Sequence, residues 1–490
     1  MSRRTSTIAA SAWSFAANWG QQLAATALFF YLAAQLAPSD FGVVAMAAAI
    51  VDLLTIAARF GQVEALLQSK DQDNVDVHTS HWFLVGLGVV LMAVIIGLGA
   101  FAGDLYGDDR IPIILFLLAP IPLIQNVTLA NEYLLRRDLA FRGIAFRNVS
   151  ATLISGIVSV VMAHMGYGYY ALVAQKLLFT LVNSLALAAY RPWMPRMRFS
   201  LARLKPLARA GFDVSLANLI GMANSRVIDL FIGHYFGFVI LGNLRIAWRL
   251  FDLLLQFTLQ PVANVAVSSL TQPDLPAERM RKVFGDYVGA LAVIAYPVFA
   301  GVILVSSDVV TLLFGQNWEQ AGGMLRWLCL SFVALPLNYM FPSAMLATGN
   351  TGFLRRQSLF QLLFTVVTVF FSSQFSIEVV LLVHVARVYL FVLLNAIAIR
   401  RSLGFTFRNV FARCIGPLTA SLLMLAAVFA LRSFDLTHDI YVTLLLEVAV
   451  GILIYVLVTA IGELSGIYPA NVKSVATLAL KKLRKGPYAR

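Results

Sequence analysis

Long apolar segments recur along the whole chain and limit its fold more than any other feature. A transmembrane helix needs about 20 mostly apolar residues to cross the hydrocarbon layer of a membrane. Fourteen segments of the 490-residue sequence approach or exceed this length, and short polar stretches separate them. They lie near 9–37, 41–68, 81–102, 111–135, 143–164, 168–190, 208–235, 240–271, 281–306, 320–347, 353–374, 376–401, 410–431 and 438–462. The sequence therefore predicts an all-α polytopic membrane protein with about 14 transmembrane helices.

The distribution of lysine and arginine fixes the expected orientation of these helices. If the N-terminus is cytoplasmic, 28 of the 37 Lys and Arg residues fall in cytoplasmic segments, and only Arg110 and Arg432 fall in outer segments. Such a bias is typical of membrane proteins, in which basic residues favour cytoplasmic loops. We therefore expect both termini in the cytoplasm. The net charge of +13 then reflects topology, and it does not indicate a nucleic-acid partner.

Several kinds of site are missing from the sequence. The two cysteines, Cys329 and Cys414, lie in or beside apolar runs, so they offer neither a disulfide framework nor metal-ligand spacing. GxGxxG, Walker A and GxSxG motifs are absent. Apart from the C-terminal tail, the loops stay below roughly 20 residues, which leaves little room for an extramembrane catalytic domain. We expect no enzymatic activity, no cofactor and no metal.

Two internal echoes indicate a repeat. FGVVAMAAAIVDLL at 41–54 matches LGNLRIAWRLFDLL at 241–254, and LYGDDRIPIILFLLAP at 105–120 matches LFGQNWEQAGGMLRWL at 313–328. Both shifts, of 200 and 208 residues, equal six predicted spans, so the copies share one orientation. Parallel repeats of this kind occur in secondary transporters, whose substrate sites lie between the repeats.

The repeat predicts a division of the chain into four parts. We expect an N-terminal lobe of six spans over 1–195 and a C-terminal lobe of six spans over 196–405. Two additional spans follow in 406–465, and a basic cytoplasmic tail occupies 466–490. Gly42 and Gly242, at equivalent places in the first echo, are expected to mark the tight outer turns that precede their helices.

Charged residues inside predicted spans are the candidate functional groups, because ionisable side chains in a membrane are costly and usually face a cavity or a partner. Helical spacing places Arg245, Arg249 and Asp252 on one face of their span. Asp52 and Arg59 share a face in the second span, and Arg226 and Asp229 are three residues apart in the seventh. The remaining basic residues inside spans are Lys176, Arg326 and Arg387.

The candidate group has more arginines than carboxylates. Its members are Arg59, Arg226, Arg245, Arg249, Asp52, Asp229 and Asp252. An excess of guanidinium groups favours an anionic substrate, and their planar fork suits a phosphate. Arg245 has no evident partner at helical spacing, so it is the first candidate for substrate contact.

Structural roles for the same residues stay open. Arg226–Asp229 and Arg249–Asp252 could be pairs that only join helices, and Arg59 could reach the inner headgroups. The carboxylates Asp52, Asp229 and Asp252 could instead couple an ion to transport.

Five segments together resemble a known family. LAPSDFGVVAMAAAI at 36–50 is similar to its first-loop signature, and DLFIGHYFGFVILGNLRIAWRLFDLLLQ at 229–256 resembles its central segment. GYGYYALVAQKL at 166–177, LLFGQNWEQAGGMLRWL at 312–328 and MLATGNTGFLRRQ at 345–357 resemble further pieces in the same order. The family is the Wzx-like polysaccharide transporter branch of the MOP exporter superfamily. Asp229 and Arg249 fall on its motif positions.

The resemblance implies a fold and a function. The fold would be MATE-like, with two pseudo-symmetric lobes around a V-shaped central cavity. The function would be translocation of an undecaprenyl-pyrophosphate-linked oligosaccharide across the bacterial inner membrane by alternating access. Membrane lipids, a polysaccharide polymerase and other assembly proteins would be its partners. The last two spans would form a groove for the lipid tail, and coupling to H⁺ or Na⁺ is left open.

Two other functions were weighed. A multidrug antiporter of the same fold would need an acidic cavity for cationic drugs, whereas the intramembrane charges here have the opposite sign. A membrane polymerase or ligase acting on lipid-linked glycans would be expected to carry a sizeable outer loop, and the predicted outer loops are short.

Overall fold

The computed structural model describes residues 2–59, 61–68, 74–138, 141–272, 275–434 and 439–465. These residues form α-helices and two 3₁₀ turns, and no strand occurs among them. Among the described residues, ten helices are long and apolar enough to cross a membrane, or eleven if a helix pair bent by 42° counts as one span. The prediction of an all-α, multi-pass membrane protein is confirmed. The predicted basic tail lies outside the described residues.

Eighteen α-helices make up the described part of the chain. In order they are α1 (Ser2–Gln35), α2 (Pro38–Arg59), α3 (Gln62–Gln68), α4 (Asn74–Tyr106), α5 (Arg110–Leu118), α6 (Ile121–Val127), α7 (Leu129–Arg137), α8 (Phe141–His164), α9 (Tyr169–Tyr190), α10 (Leu201–Thr258), α11 (Gln260–Leu270), α12 (Ala277–Phe314), α13 (Glu319–Cys329), α14 (Leu335–Ala347), α15 (Thr351–Ser372), α16 (Ile377–Leu403), α17 (Phe407–Arg432) and α18 (Ile440–Leu464).

The eleven spans account for twelve of the fourteen predicted segments, because α10 contains two of them. The span at Leu219–Thr258 is interrupted at Gly237, where φ is +79° and ψ is 178°. The other two predicted segments form α1 and α15, which are helical but are not among these ten or eleven candidate spans.

The chain divides into two compact units. Unit 1 contains 1–245 together with 359–373, and unit 2 contains 246–358 and 374–490. The segment of α15 belongs to unit 1 because it packs on the first half of α10: Thr365 Oγ1 donates a hydrogen bond of 2.6 Å to Asn224 Oδ1. The predicted lobes at 1–195 and 196–405 stay a prediction.

Within each unit one helix lies at the centre of the packing. In unit 1 that helix is α2, which contacts α4, α5, α6 and α9. Its residues 43–49 are all buried, and their small alanine side chains let the neighbouring helices approach closely. In unit 2 the central helix is α12, which contacts α11, α13, α14, α17 and α18.

The second sequence echo corresponds to a repeated local structure. The long helix α4 ends at Tyr106 and α12 ends at Phe314, and each is followed by a glycine with positive φ, Gly107 at +65° and Gly315 at +90°. The next span is broken into shorter helices in both units. Glycine adopts this left-handed region without a steric penalty. The 208-residue repeat is therefore visible in the backbone.

The chain reverses direction within α10. Asp229 and Arg245 are 16 residues apart, which would separate them by about 24 Å along a straight helix. Their side chains nevertheless lie 3.3 Å apart. Both residues are eight positions from Gly237, so the break there turns α10 into a helical hairpin. The predicted turn between the seventh and eighth spans is confirmed.

Gly42 and Gly242 do not form turns, contrary to our expectation. Both are helical residues at a close crossing of α2 and the second half of α10. A Cβ atom on Gly42 would overlap the carbonyl oxygen of Phe238, and a Cβ on Gly242 would overlap that of Pro38. The contact is reciprocal, since each glycine meets the residue four positions before the other. Only glycine permits two backbones to approach this closely.

Candidate functional site

Five charged side chains form a continuous chain of ion pairs in unit 1. Lys176 Nζ lies 2.7 Å from Asp52 Oδ1, and Arg226 Nη2 lies 2.8 Å from Asp52 Oδ2. Arg226 Nη1 lies 3.4 Å from Asp229 Oδ2, and Arg245 Nη1 lies 3.3 Å from the same oxygen. We call this group the charge chain. Its signs alternate, with a cation at each end and Arg226 in the middle.

Three candidate spans supply the members of the charge chain. Asp52 lies on α2 and Lys176 on α9, both within spans. The other three lie on α10, where the hairpin at Gly237 brings Arg245 back beside Asp229. The group therefore depends on the tertiary fold of unit 1.

The charge chain is only partly shielded. The side chain of Asp229 is 2% exposed, whereas those of Lys176 and Arg245 are 28% and 27% exposed. Three cations face two carboxylates, so the group carries one excess positive charge. Membrane-embedded charges are costly unless they are paired, and an excess cation favours the approach of an anion.

Arg226 retains an unused hydrogen-bond donor. Its two terminal nitrogens contact Asp52 and Asp229, but its buried Nε has no acceptor among the described residues. A buried donor without an acceptor is destabilising. A phosphate oxygen beside this edge of the guanidinium would satisfy it in the geometry that arginine favours.

Four of the predicted site residues are brought together by the fold: Asp52, Arg226, Asp229 and Arg245. Arg245 was the first candidate for substrate contact because no partner is evident at helical spacing, and the structure places Asp229 beside it across the hairpin. Helical spacing considers neighbours three or four residues away and cannot find a partner beyond a turn. The equal distances of both residues from Gly237 were the signal that could have predicted this pair.

Lys176 was not among the predicted binding residues, although it was noted inside a span. Its partner Asp52 is 124 positions away in sequence, so spacing within one helix carries no information about the pair. The presence of a lysine within an apolar helix was the one sequence feature that could have indicated a role for it in the site.

The remaining predicted residues lie elsewhere. Arg59 ends α2, and its side chain is outside the part that the structure describes. Arg249 and Asp252 follow on α10 in unit 2, where Arg249 is half-buried and Asp252 is exposed. These three stay predictions as site residues.

Unit 2 holds a second group of charges, which we call the unit 2 triad. Arg432 Nε lies 2.6 Å from Glu447 Oε1, and Arg432 Nη2 also contacts Asp308. The triad joins α12, α17 and α18. Its two carboxylates outnumber its cation, so its net charge is opposite to that of the charge chain.

An apolar cavity of about 360 Å³ lies between the same three helices. Gly301 and Val305 of α12, Met424 of α17 and Gly451 of α18 line it, and Glu447 is at its wall. Its lining fits a hydrocarbon chain better than a polar ligand, because apolar surface binds apolar ligands.

Two further intramembrane arginines have contacts within unit 2. Arg387 Nη2 lies 2.9 Å from His384 Nδ1, and Trp248 packs edge-on against that imidazole with a centroid separation of 5.1 Å. Arg326 Nη2 donates to Ser307 Oγ at 3.4 Å. Among the described residues no group of three or more His, Cys, Asp or Glu could hold a metal ion.

Curated relatives and a solved structure resemble this chain. The lipopolysaccharide biosynthesis protein WzxC of Escherichia coli strain K12 is 24% identical over 307 residues, which cover 59% of this chain and 60% of the relative. The succinoglycan biosynthesis transport protein ExoT of Rhizobium meliloti strain 1021 is 28% identical over 306 residues, with 61% of each chain covered. Each match thus spans about three fifths of the relative's length.

The fold of the whole chain is similar to that of a solved membrane protein. The lipid II flippase MurJ in its inward closed conformation superposes with a TM-score of 0.71 at 13% identity, over 93% of this chain and 99% of MurJ. At this identity the match establishes the fold alone.

A family model extends across the region that holds the charge chain. The model described as polysaccharide biosynthesis protein matches residues 31–322, which is more than half of the 490 residues and includes all five members. This confirms the resemblance to Wzx-like transporters at the level of the family. The chain belongs to the polysaccharide biosynthesis protein family.

Proposed function

We propose that this protein is a flippase that moves an undecaprenyl-pyrophosphate-linked oligosaccharide across the bacterial inner membrane for surface polysaccharide synthesis. The observation that carries the proposal is the charge chain with its excess cation inside candidate membrane spans. Family membership and the names of WzxC and ExoT support the same class of substrate.

The pyrophosphate group would bind at the cationic members of the charge chain. Arg226 offers a buried unused donor, and Arg245 is partly exposed. Guanidinium groups bind phosphate oxygens through two parallel hydrogen bonds, which gives orientation as well as affinity. Arg249 and Arg59 are proposed as further contacts.

A segment of the lipid tail would occupy the apolar cavity of unit 2, whose volume of about 360 Å³ is too small for the whole isoprenoid chain. An isoprenoid chain has no hydrogen-bonding groups, and its burial contributes about 25 cal/mol per Å² of apolar area. Alternating access between the predicted lobes would then move the glycan across the membrane. H⁺ or Na⁺ coupling through Asp52, Asp229 or Asp252 belongs to the same proposal.

The net charge of the site separates this function from a multidrug antiporter. A cationic drug entering beside three cations and two carboxylates would meet net repulsion, whereas an anionic pyrophosphate is attracted. A polymerase or ligase would need groups for glycosyl transfer. Incubating the purified protein with lipid-linked oligosaccharide and testing for new glycosidic bonds decides that alternative, and we expect no new bonds.

The test of the proposed function is the double variant Arg245→Ala, Arg249→Ala. In cells that lack the chromosomal gene, the wild-type protein should restore surface polysaccharide and the double variant should not, with equal amounts of both proteins in the membrane. Arg326→Ala is the matched control, since it removes an exposed arginine of unit 2 that donates to Ser307 and is not a member of the charge chain. Normal export by the double variant would show that the cationic site is not used.

A further inference from the structure

The charge chain has three cations for two carboxylates, and the three cations differ in the contacts they make. Arg226 contacts both carboxylates of the chain. Asp52 has a second partner in Lys176, and Asp229 has a second partner in Arg245. Each carboxylate therefore keeps one cation if Arg226 moves away.

Arg226 is also the cation best prepared for a new acceptor. Its Nε is buried and has no hydrogen-bond acceptor among the described residues, whereas Lys176 already makes the shortest link of the chain, at 2.7 Å. A carboxylate left alone in a membrane is strongly disfavoured. Arg226 can thus turn towards an external anion only if another cation holds Asp52.

We propose that Lys176 is a positioning residue: it holds Asp52 so that Arg226 can exchange this internal carboxylate for the pyrophosphate of the substrate. The inference rests on the proposed function, and it adds how the anion site is kept ready. Asp52 acts in it as an internal competitor for Arg226. By pairing with Asp52, Lys176 weakens the attraction of Asp52 for Arg226, and Lys176 does not itself contact the substrate.

The proposal differs from simple attraction by net charge. If Lys176 acted only through its charge or by direct contact, its loss would weaken anion binding by the same factor whether Asp52 is present or absent. If it acts by holding Asp52, its loss matters only while Asp52 can compete. A double-mutant cycle measures this difference directly.

The experiment uses the purified full-length protein in detergent and titrates inorganic pyrophosphate by calorimetry. Lys176→Gln should weaken binding by about tenfold in the wild-type background and by less than about twofold in the Asp52→Asn background. Asp52→Asn alone should strengthen binding, because the competitor is gone. Lys176→Arg should restore most of the affinity, since it can still pair with Asp52.

Three outcomes would overturn the proposal. Equal losses of affinity in the two backgrounds would show that Lys176 acts by its charge or by direct contact with the anion. An unchanged affinity in Lys176→Gln would show that Lys176 has no role in the site. If the wild-type protein does not bind pyrophosphate, the charge chain is not an anion site. Thermal unfolding of each variant reports whether it is folded. If the cycle behaves as expected while proteoliposomes fail to translocate the lipid-linked oligosaccharide, the proposed function fails and the role of Lys176 remains.

Discussion

The charge chain of unit 1 and the unit 2 triad have opposite compositions. The charge chain of unit 1 has three cations and two carboxylates, and most of its side chains are partly exposed. The unit 2 triad has one cation between two carboxylates; its Glu447 side chain is only 1% exposed, whereas those of Arg432 and Asp308 are 32% and 34% exposed. In the charge chain each carboxylate contacts two cations and Arg226 keeps an unused donor, which suits binding and exchange. In the triad two carboxylates share the single cation Arg432, which suits a permanent join between helices. Charge groups in one membrane protein can therefore serve different purposes.

Arg226→Ala should produce the largest effect. It removes the centre of the charge chain and the proposed anion contact, and the loss of a hydrogen bond to a charged group costs about 3 kcal/mol of binding free energy. We expect surface polysaccharide to fall by roughly two orders of magnitude in a strain that depends on this protein. Arg226→Lys keeps the charge but loses the fork, so it should recover only part of the export. Full export by Arg226→Ala would contradict a binding role for the charge chain.

Arg432→Ala should lower the stability of the protein and leave its affinity for pyrophosphate nearly unchanged. It leaves Glu447 buried without its guanidinium partner, which costs up to about 3 kcal/mol of folding stability. The melting temperature of the purified protein should fall, while the affinity of the folded protein for pyrophosphate should stay within about twofold of the wild type. Adding Glu447→Gln should recover part of the lost stability. Loss of pyrophosphate affinity without a change in melting temperature would show that the unit 2 triad takes part in anion binding and does not only join helices.

Gly242→Ala tests the crossing that places α2 beside α10. The added methyl group would overlap the Pro38 carbonyl, and overpacking typically costs about 1–3 kcal/mol. Gly42→Ala should cost the same, because the contact is reciprocal. Gly221→Ala on the same helix is the control: nothing lies within 4 Å of its Cβ position, so melting temperature should be unchanged or higher. Equal melting temperatures for all three variants would exclude a tight crossing.

The smallest effect is expected at the two left-handed glycines. Gly107→Ala and Gly315→Ala place a side chain at positive φ, with a cost of about 1 kcal/mol each, and neither Cβ would meet another atom. Equal decreases in melting temperature would support a shared local structure in the two units. Gly323→Ala, on the following helix α13 and equally open, should cause no decrease. Clearly unequal decreases in melting temperature would show that the two units share the sequence echo but not the local structure.

Helix positions and the repeat could be predicted from the sequence because apolar length and regular spacing are local properties. The α10 hairpin was predicted from the gap between the seventh and eighth apolar segments, at 208–235 and 240–271, and the equivalence of Gly107 and Gly315 from the second echo. The site was predicted only in part. Arg226–Asp229 follows from helical spacing, whereas Lys176–Asp52 depends on how α9 packs against α2, which no pattern within either helix encodes.

The reciprocal glycine crossing also bears on how such a chain could arise. Gly42 meets residue 238 and Gly242 meets residue 38, so each partner is displaced by 200 positions from its counterpart. In an assembly of two identical chains, this is the relation that a two-fold axis imposes on an interface. The crossing is thus what a homodimer of six-span proteins would leave after duplication and fusion of its gene. Such a fused chain can differ between its two copies, and here Arg245 stands where the first copy has Ala45, a difference that a dimer of identical chains cannot have.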